Sequence, residues 1–154
     1  MYKILALVML FFVSNSVLAQ KYKDRYVSEA TKVADNWCNA VQKSDFESAY
    51  TSLTTNNKDN YKKDEWIGYM KILQNDFGVL KSRYCDTSYF SNSYEGIGDG
   101  FFVIIQFDVD YSNTNNHFEQ LVLEQDEKMQ WKVLDFSYST IINSEENDSL
   151  NIEQ

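Results

Sequence analysis

The chain predicts an α+β fold, with N-terminal helices packed on one face of a four-stranded antiparallel sheet. Apolar residues recur every three or four positions as far as Phe77, then every second position after Gly78. The strand-like runs are also separated by short polar or Gly-rich segments, which suit hairpins rather than long crossovers. No repeat, proline-rich linker or second composition regime divides the chain, so one domain is expected over residues 20–140.

Residues 1–19, MYKILALVMLFFVSNSVLA, combine the basic Lys3, an apolar run and the small-residue end Val17-Leu18-Ala19. This pattern predicts a cleavable secretory leader and a periplasmic or secreted protein. The apolar run is shorter than the roughly 20 residues of a bilayer span, and no cysteine follows it for a lipid anchor.

Residues 24–43 read as a helix, with Val27, Ala30, Ala34, Trp37 and Val41 forming one apolar stripe. Ser44-Asp45-Phe46-Glu47 has the capping-box spacing, with Ser44 and Glu47 as the reciprocal caps. A short second helix should turn Phe46, Ala49, Tyr50 and Leu53 inward, and TTNNKDN should be a polar connection. A third helix is expected over about residues 63–76, carrying Trp66, Met70, Leu73 and Phe77 on one face.

Residues 79–94 then read as a long strand, EGIGDG as a turn, and FFVIIQFDVDY (residues 101–111) as the clearest strand. In it Phe101, Val103, Ile105, Phe107 and Val109 share one face, while Gln106, Asp108 and Asp110 share the other. SNTNN should be a turn, with EQLVLEQ and QWKVLDFSY as the last two strands. The acidic residues 141–154 read as a flexible tail. Setting Tyr111 opposite His117 pairs Phe107 with Leu121, Ile105 with Leu123, Val109 with Glu119 and Gln106 with Val122. That register keeps the apolar set on one side.

The segment DVDYSNTNNHFE places oxygen-bearing side chains at calcium-loop positions: Asp108, Asp110, Ser112, Thr114, Asn116 and Glu119. The sixth position is Asn113 rather than Gly, the flanks are β-patterned, and a hairpin sends Asp108 and Glu119 to opposite faces. A hairpin turn is therefore expected, and no metal site.

The formal charge of −9 disfavours nucleic acid and anionic membranes as partners, since no basic run offsets it. No cofactor motif occurs. His117, the only histidine, falls in or beside a turn and is expected to be surface polarity; no G-x-S-x-G or H-E-x-x-H is present. No catalytic residue is assigned. Export favours a Cys38–Cys85 disulfide worth about 4 kcal/mol, with two separate buried thiols as the alternative. If Cys85 faces the first helix to reach Cys38, Arg83, two residues earlier, faces inward as well.

These readings point to a non-catalytic binding or protein-interaction domain of unknown ligand. Its candidate pocket is formed by Trp37, Arg83, Phe107, Glu119 and Trp131. The alternative is a hydrolase or isomerase acting on a small molecule between the first helix and the sheet. Phe102, Ile104 and Val122 on the outer sheet face suggest a homodimer through that face.

Phe77-Gly78, Arg83, Gly100 followed by FFVIIQFDVDYSN, Glu119 and the W-x-V of Trp131 and Val133 occur in the order of a known family. Over about residues 26–138 the chain resembles the bacterial domain of unknown function 4019. The resemblance implies an exported protein with a nuclear transport factor 2-like, or cystatin-like, shape: a curved sheet around a long helix, often with a conical pocket. It implies no activity. Phe136, near an expected Tyr, and the two cysteines depart from the family pattern.

Overall fold

The computed structural model describes residues 2–142, with side chains over residues 20–140. Four helices, α1 (Tyr2–Gln42), α2 (Phe46–Thr51), α3 (Thr55–Asn60) and α4 (Lys63–Phe77), precede four strands, β1 (Leu80–Tyr94), β2 (Gly98–Tyr111), β3 (Thr114–Gln125) and β4 (Trp131–Ile142). The strands form an antiparallel meander in the order β1-β2-β3-β4.

The sheet curves around α1. Register shifts in β1, at 80/82, 85/87 and 91/93, and between β3 and β4 introduce the irregularities that bend paired strands. Ala30 and Ala34 of α1 are fully buried, and such short side chains let the helix lie close to the sheet. Trp37, Phe46, Met70, Leu73 and Phe77 meet Val103, Ile105, Phe107, Leu121 and Leu123 to form the main core. The α+β class and the inward set of β2 are as expected.

Several local expectations are corrected. Asp45, not Ser44, caps α2 by accepting from the Ser48 amide at 3.2 Å. Ser44 has a positive φ of 59° and donates instead to Gln74 Oε1 at 2.9 Å, while Glu47 pairs with Lys63. TTNNKDN is not simply a connection, because Thr54 caps α3 through the Asn57 amide. That helix buries none of its own side chains, so no apolar period could betray it. Its entry covers the edge of β4: Thr54 N donates to Val133 O, Val133 N to Ser52 O, and Asn57 Nδ2 to Leu134 O.

The β2–β3 turn is Ser112-Asn113 alone, and the pairing lies two residues from the expected one. Val109 faces His117, Phe107 faces Glu119 and Ile105 faces Leu121. A two-residue shift preserves faces because the side-chain period is two. The turn is held from outside the hairpin: Ser112 N donates to Val79 O, Asn113 N to Phe77 O, and Val79 N to Ser112 Oγ. Strand β4 reaches Ile142, so residues 141 and 142 of the expected tail are strand. The rest of that tail lies outside the described residues.

On the opposite sheet face, Phe102, Ile104, Val122 and Leu134 form a second buried cluster with Tyr94 against it. Phe102 and Ile104 are thus already covered within one chain. Exposed on that face are Tyr89, opposite Ile104, and farther along it Tyr84 and Phe118, which flank Asp108.

Candidate functional site

The inner sheet face carries polar residues that an apolar core does not need. Arg83 of β1 sits opposite Val109, and Glu119 of β3 opposite Phe107, so both project toward the helices. Arg83 Nη2 and Nε lie 2.8 and 2.9 Å from Glu119 Oε2. Tyr111 Oη accepts from Arg83 Nη2 at 3.0 Å and donates to Glu119 Oε1 at 2.8 Å, closing a triangle. The Arg83 Cζ stands 5.9 Å from the Phe107 ring centroid.

The side chains of Glu119 and Arg83 are 2% and 14% exposed, so the charges are largely withdrawn from water. Burial pushes the Glu119 carboxyl toward its neutral form, but His117, the Arg83 charge and the Tyr111 hydroxyl outweigh it, leaving its pKa below the ordinary value. Arg83 is affected conversely: burial opposes its charge, and Glu119 more than restores it. Burial and the Glu119 charge hold the Tyr111 phenol well above its usual range, so it remains a hydrogen-bond donor.

This triangle lines one end of a cavity of about 460 Å³ between α1, α4 and the sheet, within the roughly 300–1,000 Å³ of small-molecule pockets. Its walls are Trp37, Met70, Leu73 and Phe136, with Gln42, Gln74, Asn75 and Val79 among its other lining residues. The family described as Protein of unknown function (DUF4019) matches residues 33–136, a span that includes these wall residues and the triangle.

The chain belongs to this family. No curated protein matches it.

Of the five pocket residues expected from sequence, this DUF4019 chain brings Trp37, Arg83 and Glu119 together around the cavity. Phe107 supports Arg83 from the sheet, and Trp131 is buried elsewhere in the core, 6.0 Å from the Tyr26 ring. The DUF4019 domain adds Tyr111, which sequence reading left out although it continues the inward series of Phe107 and Val109.

His117 corrects an expectation. It is 3% exposed rather than surface polarity, with its ring 4.4 Å from Phe77, 4.9 Å from Tyr111 and stacked on Tyr138 at 5.9 Å. Its Nε2 stands 3.5 Å from Glu119 Oε1, longer than an ordinary hydrogen bond but near enough to favour the carboxylate, and neither ring nitrogen has another partner. The parity it shares with Glu119 was the available signal.

The expected disulfide is absent: both cysteines are free thiols. Cys38 is buried on α1, whereas Cys85 lies at the surface beside a β1 register shift, its Sγ 3.7 Å from the Thr87 carbonyl. Burial drives the Cys38 thiol up to about 12, and Glu119 adds to the rise while Arg83 opposes it. Arg83 nevertheless faces inward, so its orientation does not depend on a bridge.

The calcium-loop positions do not converge. Asp110 lies 3.4 Å from Lys81, Ser112 serves the Val79 amide, Thr114 is buried, and Glu119 faces the core with Arg83. Asp108 is on the outer face opposite Phe118, and Asn116 takes a positive φ of 49°. Among the described residues no cluster of three or more His, Cys, Asp or Glu could hold a metal ion.

Proposed function

We propose that this protein is an exported, non-catalytic binding domain of cystatin-like shape that takes a small molecule into the cavity between α1, α4 and the sheet. The observation that carries the reading is an open, mostly apolar cavity of about 460 Å³ ending on a buried, preformed Arg83–Glu119–Tyr111 triangle. Few convergent polar groups in an apolar cleft are the usual composition of a ligand site. Binding is favoured over catalysis because the acid–base groups are already committed: Glu119 and Tyr111 bond to each other and to Arg83, and the His117 side chain is 0% exposed.

The test is fluorescence of the neutral dye N-phenyl-1-naphthylamine with the protein, and with Leu73→Trp and Met70→Trp, which place a larger side chain at two buried lining positions of the cavity. Enhancement with wild type that both substitutions remove supports the reading. No enhancement, or enhancement indifferent to both, overturns it. Export through residues 1–19 is checked by fractionation and N-terminal sequencing, with maturation expected before Gln20.

A further inference from the structure

The hydrogen bonds at the cavity end leave one cationic donor unused, beside the unpartnered Nε1 of Trp37 in the cavity wall. Glu119 Oε1 accepts from Tyr111, and Oε2 accepts twice from Arg83. The Tyr111 hydroxyl both donates and accepts. Arg83 spends Nε and Nη2 on this arrangement, but its Nη1, with two N–H donors, has no hydrogen-bond partner among the described residues. The Arg83 side chain is 14% exposed and lines the cavity, so the guanidinium is open to it. Gln74 is also committed, donating to the Val41 and Gln42 carbonyls and accepting from Ser44.

Charge narrows the ligand further. The Arg83 cation is balanced by Glu119 at 2.8 Å, so the site has little net attraction for an anion. A second carboxylate would meet Glu119 and the field of a chain with formal charge −9. An organic cation would meet Arg83 instead. Both would also lose hydration against Trp37, Leu73 and Phe136.

Building on the binding reading, we infer that the ligand is a neutral, largely apolar molecule ending in a carbonyl-type oxygen, which accepts from Arg83 Nη1 while its body lies against Trp37, Leu73 and Phe136. Glu119 and Tyr111 act as positioning residues, fixing the guanidinium so that Nη1 is presented without reorganisation on binding.

The experiment is displacement of bound N-phenyl-1-naphthylamine by decanamide, decanoate and decyltrimethylammonium, using the full chain. Decanamide is expected to displace the dye at a concentration at least tenfold below either charged compound. Arg83→Lys keeps the positive charge but lacks the spare forked nitrogen, and should erase that advantage. Arg83→Met/Glu119→Leu, which removes both charges together, should do the same. Equal or better displacement by a charged compound overturns the inference, as does an amide advantage that survives in either variant. If wild type binds no dye at all, the binding reading fails and this inference with it; dye binding without amide preference overturns this inference alone.

Discussion

Arg83 on β1 grips Glu119 on β3 across the whole width of the intervening strand. Adjacent strands lie roughly 4.8 Å apart, so the guanidinium reaches over β2, passing Phe107, to place Nε and Nη2 at 2.9 and 2.8 Å from one carboxylate oxygen. Only a long, forked cation can make that span and still leave a terminal nitrogen free.

Removing one member of this pair strands the other. Arg83→Met leaves a buried carboxylate with the Tyr111 hydroxyl but no cation, and should lower unfolding free energy by about 3–5 kcal/mol. Arg83→Met/Glu119→Leu should recover most of that loss, because an apolar pair needs no compensation. Urea unfolding of the wild type and three variants, including Glu119→Leu, forms the cycle that measures the coupling.

The depressed pKa of Glu119 gives its pH dependence a definite sign. Its folded-state value lies below the ordinary 4.5, so its ionised form contributes fully above that pH. The contribution is lost as pH falls through the native value. Midpoints of urea unfolding should therefore drop steeply below about pH 4.5 in wild type, and less steeply in Glu119→Gln, whatever its stability at neutral pH.

The two thiols should behave differently. Cys85 is exposed and should react promptly with a thiol reagent, whereas Cys38 is buried with its pKa near 12 and should react only on unfolding. Native protein should thus titrate one thiol and denatured protein two, and reductant should leave the melting midpoint unchanged.

Gly78 joins α4 to β1 at φ 80°, and a Cβ there would collide with the Ser112 hydroxyl and the Asn113 side chain. Gly96 has nearly the same φ, 79°, but open space around it. Alanine at Gly96 should cost about 1–2 kcal/mol from conformation alone. Alanine at Gly78 should cost more, since it also displaces the β2–β3 turn; thermal melts of both variants make the comparison.

Part of the site could be read before any coordinates. The expected hairpin register lies two residues from the observed one yet turns Glu119 inward, and the stripe of α1 turns Trp37 inward. Both survive because a two-residue slip leaves every side chain on its face. Ser44 and Asp45 are both competent caps for α2, and the choice between them lies with the Ser44 hydroxyl, which bonds to Gln74 thirty residues away. Helix α3 escaped notice because a six-residue polar helix has no core-facing period.

By itself the sequence determined element types and faces, because helical period, strand alternation and turn chemistry are local properties of neighbouring residues. It could therefore assign the inward side of β2 and β3, and through it the burial of Glu119. Only the tertiary structure decided which inward polar groups meet. The Arg83 reach across β2, the closure of the triangle by Tyr111 and the enclosure of His117 depend on strand spacing, register shifts and sheet curvature. So does the fate of the cysteines, where Cys38 turns into the core and Cys85 stays at the surface, and neither position is encoded in the number of residues between them.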